Sequence, residues 1–165
     1  MKLVLAEPFK SLWAGRDAFV AVEALQGQVY RELEGRRTLR TEVDGRGYFV
    51  KIHRGIGWGE IVKNLLTAKL PVLGARQEWD AIQRLTEVGV ATMTAVAYGE
   101  RGRNPAAQHS FIVTEELAPT TDLEQLSLNW AQQPPEPRLK RALIKEVANM
   151  VGSMHRAGVN HRDCY

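Results

Sequence analysis

Tyr48-Phe49-Val50-Lys51-Ile52-His53 alternates two sets of side chains along one extended run. Tyr48, Val50 and Ile52 fall on one side and Phe49, Lys51 and His53 on the other, the period of two that a strand imposes. One face can be buried while the other, carrying the lysine, looks into a cleft. Just upstream, Asp44-Gly45-Arg46-Gly47 supplies glycines able to take positive φ, which predicts a tight hairpin turn back to a partner strand over residues 37–43. Gln28–Leu33 is a further run of strand character. An amphipathic segment with Phe19, Val22 and Leu25 precedes all three.

Working outward downstream, Gly55-Ile56-Gly57-Trp58-Gly59 breaks the alternation. Residues 60–68 then read as a short helix carrying Ile61, Leu65 and Leu66, ended by Leu70-Pro71 because a residue before proline avoids the helical region. A stronger helix is expected over 75–88, with Trp79, Ile82 and Leu85 at three-residue spacing and Gly89 at its stop. Strands are expected over 94–98 and 110–114, with a polar loop over 99–108 between them. Thr121-Asp122-Leu123-Glu124 fits a capping box opening a helix to about Trp130. The prolines of 133–137 remove amide donors and predict a surface loop. The clearest helix covers 138–157, where Leu139, Leu143, Val147, Met150, Val151 and Met154 form one stripe and the methionines read as core filler. Gly158 suits the position after the helix, and residues 159–163 leave it as a loop.

The totals are those of an ordinary globular protein: 44% hydrophobic and 25% charged residues over 165 positions, enough apolar material for a real core. No internal repeat or low-complexity tract is present. The formal charge of +3 suits phosphate-bearing ligands, anionic surfaces or acidic partners. With Cys164 as the single cysteine no intrachain disulfide can form, which points to a reducing compartment. The opening Met1–Ala6 starts like a signal peptide, but Glu7-Pro8 cuts its apolar run short of the roughly 7–15 residues required. No stretch approaches the roughly 20 apolar residues of a membrane span. A cytoplasmic protein is expected, peripheral at most to a membrane surface.

Three strands, a helix, two strands, then helices and a loop bearing an aspartate is the order of a protein-kinase-like fold. The expected class is α+β: a five-stranded antiparallel N-lobe sheet with an inserted helix over 1–117, ending in a hinge. Residues 118–165 would begin a truncated, mainly helical C-lobe up to the catalytic loop. Phosphoryl transfer needs phosphates neutralised and an acceptor hydroxyl aligned rather than covalent work by the protein. Lys51 stands where a kinase places the lysine that meets the α- and β-phosphates. Glu78, in the next strong helix, is the candidate to hold Lys51 by an ion pair, with Asp80 and Glu87 as rivals. Asp163 closes His161-Arg162-Asp163 and would orient the substrate hydroxyl, with His161 bracing the loop. Glu115-Glu116-Leu117 falls at the hinge, where the backbone of Glu115 and Leu117 would meet the adenine edge.

Several stretches resemble the lipopolysaccharide core heptose(I) kinase family: Glu7-Pro8-Phe9, Tyr48-Phe49-Val50-Lys51, Pro71-Val72-Leu73-Gly74-Ala75, Glu78-Trp79-Asp80-Ala81-Ile82, Thr114-Glu115-Glu116-Leu117 and His161-Arg162-Asp163-Cys164-Tyr165. The resemblance implies transfer of phosphate from ATP, with Mg2+, to a hydroxyl of the first inner-core heptose. It implies work at the cytoplasmic face of a Gram-negative inner membrane. The basic excess adds an anionic membrane surface or an acidic carrier protein as further partners, and with no basic stripe interleaved with aromatics no nucleic acid is expected.

The sequence also departs from ordinary kinases. Instead of G-x-G-x-x-G between the first two strands there is Leu33-Glu34-Gly35-Arg36-Arg37, so the phosphates would rely on Gly35, backbone amides and Arg36 or Arg37. Phe49 takes the place of a small alanine. Nothing follows Tyr165, so the Mg2+ ligands are expected downstream of that residue, no metal site can be assigned, and this chain alone is expected to be inert. Alternatives are another sugar or small-molecule phosphotransferase, of Kdo or aminoglycoside type, or a non-catalytic binding module. In the last case residues 58–70, with Lys63 and Lys69, would lie on anionic lipid or an acidic protein.

Overall fold

The computed structural model describes residues 1–33, 35–55, 57–67 and 74–160. Its contacts divide the chain into two units, Met1–Ile82 with Met93–Glu116, and Gln83–Thr92 with Leu117–Tyr165.

The first unit is built on strands β1 (Lys2–Leu5), β2 (Gln28–Leu33), β3 (Arg36–Val43), β4 (Arg46–His53), β5 (Ala95–Arg101) and β6 (His109–Glu115). They form one antiparallel sheet in the order β1-β5-β6-β4-β3-β2. The five expected strands are all present. The sixth, β1, is the apolar opening whose first residues read like a leader; paired with β5, Lys2 opposite Glu100 through Leu5 opposite Ala97, it becomes a sheet edge.

The two faces of the sheet are packed differently. On one, Leu39, Tyr48, Val50, Ile52, Phe111 and Val113 are fully buried beneath helices α1 (Phe9–Leu12) and α2 (Ala18–Glu23). The seam is aromatic: Phe9 meets Tyr48 edge-on at 5.0 Å and Phe19 meets Phe111 edge-on at 5.1 Å, arrangements that add about 0.5–1.5 kcal/mol beyond area burial. Asp17 starts α2 by accepting the amides of Phe19 and Val20 at 2.7 and 3.3 Å. On the opposite face lies α4 (Arg76–Glu87), whose Trp79 and Ile82 cover Tyr98 and Ile112. Helix α3 (Gly57–Leu66) turns Ile61 inward and leaves Trp58, Val62 and Leu66 exposed.

The β3–β4 hairpin has a two-residue loop, with positive φ at Asp44 (52°) and Gly45 (74°) and Val43 paired to Arg46. Gly47, expected to serve the turn, has no positive φ and sits against the Glu116 carboxylate, whose end would have to shift to admit a Cβ.

In the second unit Asp122, rather than Thr121, caps a helix shorter than expected, α5 (Leu123–Ser127), accepting the Gln125 amide at 2.7 Å. Helix α6 (Pro137–Arg156) starts under a Glu136 cap and ends before Gly158, whose φ is 77°. Met154 is buried as core, whereas Leu139, Val147 and Met150 are exposed, so the stripe is only partly covered.

Phe111→Ala should cost about 3–5 kcal/mol in urea unfolding, while Val20→Ala, at an exposed position of α2, should stay within about 0.5 kcal/mol.

Candidate functional site

Register decides which side chains share a face. Arg36 lies opposite His53, Thr38 opposite Lys51 and Arg40 opposite Phe49; across the next ladder Lys51 faces Ile112 and His53 faces Ser110. Residues directly opposite one another in an antiparallel pair lie on the same face. Arg36, Lys51 and His53 therefore stand together on the α4 side of the sheet.

Lys51 Nζ donates to Glu78 Oε1 at 2.7 Å. Both side chains are partly open to solvent, at 38% and 27% exposure, and such a pair contributes about 0–1 kcal/mol to stability. Its value is positional. Of the three acids that compete in the sequence, Asp80 pairs with Arg76 at 3.5 Å and Glu87 with Arg84 at 3.3 Å, and Glu78 alone is paired with Lys51 among the described residues. Helix α4 is held by the stack of Trp79 on Tyr98, with centroids 4.9 Å apart, and by the Ala75 amide, which donates to Ser110 Oγ at 3.0 Å.

Gly35 sits at the β2–β3 connection with φ 79°, its carbonyl accepting the Arg54 amide at 2.8 Å. Arg36 follows on the lysine face; burial, then Arg31, draws its pKa down. Arg37 is excluded as a ligand of that face, because it turns to the other side, bonding Glu32 at 3.1 Å and the Glu23 carbonyl at 3.0 Å. Arg31 was not foreseen. A bulge between Val29 and Arg31 sets Arg31 opposite Thr38 and so on the lysine face; an unbroken strand would have turned it away, and no residue in Gln28–Leu33 announces the bulge.

On the α2 side Arg54 grips Glu23 through two bonds of 2.8 and 2.7 Å and Glu32 at 3.3 Å. His109 Nε2 lies 3.3 Å from Glu23 without hydrogen-bond geometry, and burial lowers its pKa against the pull of Glu23. In the segment expected to be the hinge, Glu115 donates its amide to the Thr94 carbonyl and Glu116 to that of Gly47, both at 2.9 Å. The Glu116 carboxylate receives two bonds of 2.7 Å from Arg40, and that guanidinium holds its pKa down. Leu117 belongs to the second unit, its carbonyl accepting Thr120 Oγ1 at 2.7 Å. Asp163, with His161 and Arg162, lies outside the described residues, as does Lys69.

Three described features thus fit a polyphosphate: Lys51 held by an acid, and Arg31 and Arg36 on the same face. A profile of the lipopolysaccharide kinase (Kdo/WaaP) family matches residues 20–165. The chain belongs to that family. Among its curated relatives is the lipopolysaccharide core heptose(I) kinase WaaP of Pseudomonas aeruginosa, 82% identical over the whole chain and 62% of the relative. The Escherichia coli protein of the same description is 58% identical over 98% of this chain and 61% of its own length. A solved structure, WaaP in complex with acyl carrier protein, shares 72% identity at a TM-score of 0.87, covering all of this chain and 61% of that one. The kinase-like α+β architecture read from the strand order is borne out by this family likeness. The chain spans about three-fifths of the relatives it matches.

His53 is held near pKa 4 by burial, then by Arg36 and Lys51. Its proton is bound more tightly in the unfolded chain, where imidazole titrates near 6.5, so folding stability should fall as pH drops from about 6.5 toward 4. The slope due to this group is at most about 1.4 kcal/mol per pH unit; His53→Gln should flatten that part of the profile in denaturant titrations.

Proposed function

We propose that this chain forms the nucleotide-binding part of an ATP-dependent kinase that phosphorylates a heptose of the lipopolysaccharide inner core. The observation that carries the reading is the 2.7 Å Lys51–Glu78 pair on a basic sheet face, in a chain of the Kdo/WaaP family. Lys51 meets the α- and β-phosphates, and Glu78 keeps the ammonium from swinging into solvent. Gly35, Arg36 and Arg31 serve the outer phosphates. The Glu115 carbonyl and the Leu117 amide are the hinge groups assigned to the adenine edge. Asp163 accepts the hydrogen bond of the acceptor hydroxyl and directs it at the γ-phosphorus, while the bond from that phosphorus to the bridging oxygen breaks.

ATP supplies the phosphoryl group. Among the described residues no group of three His, Cys, Asp or Glu side chains could hold the accompanying Mg2+. No described helix is long and apolar enough to cross a membrane; the reading places the protein in the cytoplasm, at the inner face of the inner membrane of a Gram-negative cell. A carrier protein joins the partners because the solved relative was captured with acyl carrier protein, and the charge of +3 suits an acidic one.

Two measurements on the full-length protein test this. Lys51→Ala should weaken ATP binding by tenfold or more, about 1.4 kcal/mol or greater, and unchanged affinity would remove the basis of the assignment. Asp163→Asn should leave ATP affinity within about twofold and cut phosphate transfer to a heptose acceptor by about a thousandfold or more. Transfer to a Kdo acceptor instead of heptose would keep the kinase and overturn its substrate.

A further inference from the structure

The Lys51–Glu78 pair is too open to solvent to position a helix by itself, so the placement of Glu78 must come from elsewhere in α4. Trp79 and Ile82 anchor the middle of the helix through apolar contact with Tyr98 and Ile112. Apolar contact resists separation but tolerates rotation and sliding. What fixes the start of α4 is polar. The Ala75 carbonyl accepts the Trp79 amide at 3.0 Å, which makes Ala75 the residue at which the helical bonding begins. The Ala75 amide is one that no turn of the helix can satisfy, and it is buried, with Ala75 at 1% exposure. Ser110 Oγ accepts it at 3.0 Å from β6. Ser110 is itself 1% exposed, so the bond excludes solvent from both ends.

The neighbouring residues are shaped around this bond. Gly74 lies against Ser110, and a Cβ there would come within 2.5 Å of Ser110 Oγ; its φ is not positive, so space rather than backbone conformation accounts for the glycine. Ser110 stands opposite His53 and two residues from Ile112, which faces Lys51. The bond therefore ties the helix three residues before Glu78 to the strand beside the one bearing Lys51.

We propose that Ser110 is a positioning residue for the nucleotide site: its buried hydroxyl sets the angular position of α4 and so delivers Glu78 to Lys51. The consequence for ATP rests on the kinase reading above; the effect on α4 does not. Replacing Ser110 by Ala leaves the Ala75 amide buried without an acceptor, a defect relieved by moving the start of the helix. Ser110→Cys keeps the volume with a poor acceptor and serves where the alanine variant folds badly.

The test is a double-mutant cycle in the full-length protein, with ATP affinity and thermal stability both measured for wild type, Ser110→Ala, Glu78→Gln and the double variant. If Ser110 acts through Glu78, Ser110→Ala weakens ATP binding about fivefold or more in the wild-type background and less than about twofold when Glu78 is already Gln, while the losses in stability add. Hydrogen exchange in the nucleotide-free protein should rise at the first turn of α4 in Ser110→Ala and Ser110→Cys. Equal losses of affinity in both backgrounds, or unchanged exchange at that turn, would overturn the proposal. If Lys51→Ala leaves ATP binding intact, the kinase reading fails and the exchange result alone judges Ser110; if Lys51→Ala weakens binding and Ser110→Ala does not, the proposal fails and the reading stands.

Discussion

Strand β4 lies between β3 and β6, and everything in the first unit depends on its having two unlike faces. Tyr48, Val50 and Ile52 are fully buried, and their alternation ties the sheet to the aromatic layer of α1 and α2. The remaining residues have no freedom of direction once those three are committed, because a strand turns successive side chains to opposite sides. Lys51 is thus aimed by the hydrophobic effect acting on its neighbours rather than by any attraction of its own. The same burial that stabilises the sheet holds a cation at a defined place above it.

How much of this could be read in the sequence varies with the physics involved. The alternation in β4 and the spacing of Trp79 and Ile82 are local and periodic, and they delivered the sheet and α4. Glu78 was singled out with two rivals because a helical repeat places acids without saying which neighbour each will meet; the ion pairs of Asp80 and Glu87 settle that only in three dimensions. The Met1–Ala6 run gave no sign of a strand, because its partner β5 lies some ninety residues later. Thr121 and Asp122 are both good caps, and the one that reaches the Gln125 amide is set by backbone geometry. Ser110 gave no sign, because a serine in an apolar strand looks like a minor interruption until its partner is known. Gly74 was legible as a glycine but not for its surroundings, which are set by the Ser110 hydroxyl of a distant segment.

Membership of the Kdo/WaaP family explains why the kinase-like order of elements survives without a glycine-rich phosphate loop. The connection after β2 is short, and Arg54 holds it at Gly35 through its backbone while its side chain binds Glu23 and Glu32. Arg31 and Arg36 flank that connection on the lysine face. At the far end of the sheet Arg40 secures Glu116 in a similar manner, with paired bonds that fix direction as well as distance.

The bulge in β2 gives these two sets of charges a common dependence. With the extra residue, Arg31 shares a face with Lys51 while Glu32 points to Arg37 and Arg54. Straighten the strand and the parity of every later position inverts: Glu32 would come to the lysine face opposite Arg36, and Arg31 would be driven among the cations around Glu23. Such a slip would put a glutamate in place of an arginine beside Arg36 and would leave Arg37 without its carboxylate, Arg54 keeping Glu23. The odd or even count of one edge strand therefore decides which charge stands beside Arg36 on the lysine face.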